Sequence, residues 1–199
     1  SRLAEDPSPA VRREVAIFLR DIRSPEVLPV IVTLARRFDA SDRTYLEALG
    51  LACEGREAEA YIAIGKELGA EPLRWSNAFA ALAWRLHPPQ AVASVRERLL
   101  SGKLTNLQAR AALTGLAFTE SESAVHAMAE LAQTPGFALR DLARWWLMNR
   151  KGNLWKRFDV DAVLRLRGLD PGKVVLTPVP LPTEASGLAP DGSGGRGTG

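Results

Sequence analysis

One pattern recurs along this chain at a nearly constant spacing, and it limits the fold more than any other feature. Its clearest copy is Asp6-Pro-Ser-Pro-Ala-Val-Arg-Arg-Glu-Val-Ala-Ile-Phe-Leu-Arg20. The pair Val11-Arg12 is echoed by Asp42-Arg43, Leu73-Arg74, Ala109-Arg110 and Leu139-Arg140, so the arginines stand 31, 31, 36 and 30 residues apart. Self-similarity with a period of about 20–50 residues marks an array of repeated supersecondary units.

Each period reads as two helices. Ser8 is placed to cap the first, and Pro9 suits its first position, where a missing N–H leaves nothing unbonded. Val11, Val15, Phe18, Leu19 and Ile22 follow on one face of a 3.6-residue helix. Ser24-Pro25 opens a second helix with Val27, Ile31, Leu34 and Phe38 on one face, and Pro29 near its first turn is tolerable. Asp42 or Ser41 caps the next, through Tyr45, Leu46, Leu49 and Cys53; after Gly55 its partner spans 57–68. A third pair opens at Pro72 and carries Trp75, Phe79, Leu82, Ala83 and Leu86. His87-Pro88-Pro89 then forces a turn before Val92, Val95 and Leu99. The fourth pair covers 105–118 and 122–133. The fifth begins at Phe137, with Leu139, Leu142, Ala143, Trp146 and Leu147, and has a short basic partner over 160–166. The expectation is all-α: a HEAT-like α-solenoid of about five antiparallel helix pairs over residues 1–170, each burying its apolar face against its neighbours. Residues 171–183, rich in Val and Pro, read as an extended segment on the last repeat, and 184–199 as a disordered Gly/Pro-rich linker.

Composition narrows the function classes. A net charge of +3, carried mostly by Arg with only five Lys, is mild for a dedicated nucleic-acid binder. The single Cys53 excludes an internal disulfide framework and a multi-Cys metal site. No apolar run approaches the roughly 20 residues that span a bilayer, so no membrane insertion is expected. The chain opens at Ser1 inside a repeat-like segment with no polar repeat before it, and is read as a piece of a longer protein.

Asp6-Pro-x-Pro-x-Val-Arg with Ala16 and Leu19 resembles the HEAT repeat. Longer strings point to a narrower family: Arg43-Thr-Tyr-Leu-Glu-Ala-Leu-Gly50 with Gly55-Arg56-Glu57, Trp84-Arg-Leu-His-Pro-Pro89, and Trp145-Trp-Leu-Met-Asn-Arg-Lys-Gly-Asn-Leu-Trp155. Together they resemble the HEAT region of the large haem-binding proteins of the Planctomycetes–Verrucomicrobia group, also labelled membrane-bound dehydrogenases. The resemblance covers roughly residues 1–183. It implies an exported, periplasmic or extracytoplasmic protein, with a propeller before this region and a Cys-x-x-Cys-His haem module after it. No Cys-x-x-Cys-His stands in this chain, so no redox role passes to its residues and no cofactor is expected in it. What the resemblance implies is a non-enzymatic spacer or docking domain whose partners are proteins or neighbouring domains of the same polypeptide.

Two groups of residues are candidates. Arg12, Arg43, Arg74, Arg110 and Arg140 occupy equivalent positions. They form either a structural ladder, each bonding a carboxylate or helix-end carbonyl of the next repeat, or a basic ridge for an acidic partner. The segment 140–167 carries a local charge of +5, with Trp145, Trp146 and Trp155 among its cations. Arg140, Arg144, Trp145, Arg150, Lys151, Trp155, Lys156 and Arg157 are therefore candidates for an interaction surface. One alternative is a solvated basic face over core tryptophans. Another, disfavoured by the mild net charge, is a nucleic-acid site in which cations track phosphates and aromatics stack on bases. His87 and His126 lack companions for a metal site, and His87 is expected to hydrogen-bond locally within its turn. Cys53 reads as a small core residue, and Glu54, Glu57 and Glu59 as charges favoured at a helix start. No set of residues assembles a catalytic constellation.

Overall fold

The structure is a computed structural model and describes residues 2–69 and 71–172. Among these it is all-α. The helices are α1 (Pro9–Leu19), α2 (Val27–Arg36), α3 (Arg43–Ala52), α4 (Glu57–Leu68), α5 (Asn77–Leu86), α6 (Val92–Leu100), α7 (Asn106–Phe118), α8 (Glu122–Leu131), α9 (Arg140–Lys151) and α10 (Val160–Leu166). Short 3-10 turns at Arg2–Glu5, Pro72–Arg74 and Pro89–Ala91 complete the regular structure among the described residues. No described helix is long and apolar enough to cross a membrane.

Local chemistry sets most helix starts. Asp42 accepts the Tyr45 N–H at 3.0 Å, and Ser76 accepts that of Phe79 at 3.1 Å. Thr105 and Gln108 close a reciprocal capping box at α7. Ser121 and Asp159 cap α8 and α10. The expected Ser8 cap does not form. The Ser8 N–H instead donates to Asp6 Oδ1 at 2.8 Å, while the Arg12 guanidinium takes the carbonyls of Asp6 and Pro7 at 2.6 and 3.0 Å. This turns the inner face of α1 toward Arg12, Ala16 and Leu19. Phe18, expected inside, is 70% exposed. The third repeat's helix also starts later than expected, because Pro72 opens a 3-10 turn and the capping hydroxyl is Ser76.

The helices pack in two rows. α1 contacts α3, α3 contacts α5, α5 contacts α7 and α7 contacts α9. On the other side α2 packs on α4, α6 on α8, and α8 on α10. Between these, α4 meets α5 and the 3-10 turn that leads into α6. The buried apolar residues fall into two clusters that divide at the same place. One runs from Ala4 to Ala91 and the other from Val92 to Leu164. The faces expected inside do enter these clusters: Val27, Ile31, Leu34 and Phe38 in the first, and Ala124, Met128, Leu131 and Ala132 in the second. Past Gly172, the expected extended segment and linker lie outside the described residues; Pro171 and Gly172 themselves form a turn.

Candidate functional site

The basic C-terminal segment is less free than its composition implies. Arg144 Nε donates to the Ala132 carbonyl at 3.1 Å, and its Nη1 pairs with Asp141 at 3.2 Å. Lys151 Nζ sits 2.6 Å from both oxygens of Asp161. Arg157 pairs with Glu120 at 3.3 Å and lies over the Phe158 ring. Arg140 and Lys156 are exposed. Trp155 corrects the expected surface outright. It is fully buried, and its Nε1 donates to the Thr119 carbonyl at 2.9 Å, 36 residues away. An indole of that size, carried by the turn after α9, is worth far more filling the second core cluster than lying beside cations in water. It is closed to a base or a partner.

The arginine series also departs from the expected ladder. Arg43 pairs with Glu47 one turn along its own helix, Arg110 with Asn106, and Arg74 with Glu71. The first two reach the next repeat through rings: Arg12 stands 5.4 Å from the Tyr45 centroid and Arg43 4.9 Å from that of Trp84. The side chains that bond across repeats are others. Arg56 reaches the Ile22 carbonyl, Arg23 that of Glu54, Arg85 binds Glu47, and Arg96 binds Glu130.

Together these contacts form a feature not legible in the motif list. A run of rings and guanidiniums crosses four helices of one row. Arg43 of α3 covers Trp84 of α5; Trp84 meets His87; His87 meets Phe118 at the end of α7; Phe118 meets Trp146 of α9. Each ring pair is 5.8 Å apart. Arg150 closes the run, 3.9 Å from the Phe118 centroid and 4.7 Å from that of Trp146, and Trp145 packs edge-on against Trp146. Phe118 remains 44% exposed, and the indoles of Trp84, Trp145 and Trp146 are half-buried. Arg150 Nε, Trp146 Nε1 and His87 Nε2 are buried without a hydrogen-bond partner. His87 does bond locally as expected, but through its backbone, whose N–H donates to the Ala83 carbonyl in a left-handed cap. Burial, with the Arg85 charge second, pulls its imidazole down to about 4, so the ring in the run is neutral at pH 7. Burial also holds the Arg150 guanidinium below its ordinary range.

A cleft of about 470 Å³ opens beside Trp84, between α5, α6 and α7. It lies where the two core clusters divide. Its walls are mostly alanine, valine and the Trp75 and Trp84 indoles, with Arg43 and Arg98 among them. Arg98 is 7% exposed; it donates to the Pro72 carbonyl at 2.5 Å and lies 4.9 Å from the Trp75 centroid. Arg98, Phe118 and the cleft escaped the sequence reading. The signal for them is the long 36-residue interval from Arg74 to Arg110, which contains the extra turn at His87-Pro88-Pro89.

The remaining candidates are plain. Cys53 is buried, and burial pushes its thiol up to about 12. His126 is half-buried, 3.9 Å from Glu122. Among the described residues no group of three or more His, Cys, Asp or Glu is placed to hold a metal ion. The protein so defined is an all-α stack of paired helices with a cation–aromatic face. Comparison with protein-family models, with curated proteins and with solved structures finds no match for this chain.

Proposed function

We propose that this chain is a non-catalytic helical-repeat scaffold, a HEAT-like α-solenoid that docks an acidic protein surface on its α3–α5–α7–α9 row. The solenoid reading is supported by the order of packing and by the spacing of the ties between helices. Arg23 with Glu54 and Gln108 with Asn77 are 31 residues apart, Arg56 with Ile22 and Arg96 with Glu130 are 34, and Arg85 with Glu47 are 38. Those separations match the period of the arginine series, as nearest-neighbour stacking of repeats requires.

The docking role rests on one observation: the run from Arg43 through Trp84, His87, Phe118 and Trp146 to Arg150. Half-exposed aromatics beside guanidiniums are the side chains enriched where partners bind most strongly. Arg150 has no carboxylate within 4 Å among the described residues, and Arg43 shares its one carboxylate with Arg85. An acidic surface therefore complements the run. The family resemblance read from the sequence supplies the source of that surface, the neighbouring modules of a larger exported haem-containing redox protein.

The test uses the gene's flanking segments. Each is expressed separately and titrated into this chain while the backbone amide resonances and the indole N–H resonances of Trp84, Trp145 and Trp146 are followed. Shifts at these three are the expected result, with those of Trp84 and Trp146 abolished by Phe118→Ser combined with Trp145→Ser. Shifts confined to α2, α4, α6 and α8, or no binding by either flank, overturn the docking role. Finding neither a propeller upstream nor Cys-x-x-Cys-His downstream overturns the redox-protein assignment alone.

A further inference from the structure

We infer that the cleft between α5 and α7 is a binding site for a small apolar ligand bearing one carboxylate. Its volume, about 470 Å³, falls in the range of small-molecule sites, roughly 300–1,000 Å³. Its walls meet the usual description too: an apolar surface with few polar groups that fix orientation. Trp75 and Trp84 contribute apolar ring surface, and Ala80, Ala81 and Ala112 a low wall on which a ring system or alkyl chain can lie flat.

The charge identifies the ligand. Arg98 lines the cleft, is more than nine-tenths buried, and has no carboxylate within 4 Å among the described residues. Its bonding consists of the Pro72 carbonyl and the Trp75 face. A guanidinium carries five N–H donors in a planar fork, so this one has capacity left for a bidentate acceptor. No Asp or Glu lines the cleft. The other arginine of the lining, Arg43, shares the carboxylate of Glu47 with Arg85. The site therefore carries surplus positive charge behind low-dielectric walls, where an ion pair is stronger than in water. Burial alone does not make such a site. Arg12 is equally buried, but its Nη1 binds two carbonyls and it lines no cleft of this kind. One guanidinium matches one carboxylate, and the apolar walls match the body it is attached to.

The cleft shares Arg43 and Trp84 with the run, but the site does not rest on the docking reading, because Arg98 and the alanine wall lie off that run. The test titrates the intact chain with 1-pyrenebutyrate and, separately, with 1-pyrenebutanol, the same body without the charge. Energy transfer from tryptophan to pyrene reports binding. The acid is expected to bind at least about ten-fold more tightly than the alcohol at pH 7, the worth of one charge-assisted hydrogen bond. Arg98→Met is expected to shrink that preference to less than about two-fold, and Ala112→Trp to abolish binding of both by filling the cleft. Equal affinity for acid and alcohol, no saturable binding of either, or a preference that survives Arg98→Met overturns the assignment. Should Arg98→Met fail to fold by circular dichroism, the preference in the unaltered chain and its loss in Ala112→Trp decide.

Discussion

At position 155 an indole is enclosed on all sides and hydrogen-bonded to Thr119, while its neighbours Lys156 and Arg157 are exposed. Replacing it removes packing that cannot be recovered by collapse. Trp155→Ala is expected to lower the unfolding free energy by about 3–5 kcal/mol in urea denaturation. Trp145→Ala, a half-buried ring on the outside, should cost about 1 kcal/mol or less. A second residue-scale expectation concerns His87. Its ordinary value is 6.5, and in the folded chain it is held at about 4. Between those values the unfolded chain binds a proton that the folded imidazole refuses, so stability is intact above pH 6.5 and falls as pH drops toward 4. In His87→Gln the gap between thermal midpoints measured at pH 7 and pH 4.5 should be smaller than in the unaltered chain. An unchanged gap would show that the ring does not titrate in this way.

Glycine reports how closely neighbouring helices approach. A Cβ built at Gly115 of α7 would stand 3.1 Å from Trp84 Cδ1 on α5. Gly115→Leu should therefore push α5 and α7 apart and cost about 1–3 kcal/mol by overpacking. Gly152, just past α9, has a φ of −85° and nothing within 4 Å of the same position. Gly152→Ala should raise stability by about 0.4–1 kcal/mol by restricting the unfolded chain. Opposite signs in the same denaturation series are the expected outcome. Helix boundaries tell a related story. α4 and α10 begin and end where the sequence places them, because Gly69 and Asp159 punctuate unambiguously. α1 ends at Leu19, short of the expected Ile22; Val15, Leu19 and Ile22 pack on the core as expected, Phe18 does not, and Arg12 joins the inner face by bonding two carbonyls.

Over the whole molecule, the buried core is two clusters that divide between Ala91 and Val92. In the proposed solenoid, nearest-neighbour packing transmits a local loss only so far. Hydrogen exchange tests this directly. Trp155→Ala should lower amide protection in α7 to α10 and leave α1 to α4 unchanged, whereas a uniform loss would mean a single cooperative unit.

The sequence alone determined the helical class, the places where most helices start and stop, and most of the inward faces. Those depend on short-range quantities, apolar spacing and caps, that are written within a few residues of each other. It also carried the period, including the long interval from Arg74 to Arg110. Only the tertiary structure decided what that irregularity does. It placed the division of the core and the cleft at that interval, buried Trp155 while leaving Phe118 half out, and joined Trp84, His87, Phe118, Trp146 and Arg150 into one run. These are contacts between residues about one repeat apart. Whether a given ring ends inside or on the surface depends on how closely the neighbouring helices approach, and no local pattern encodes that distance.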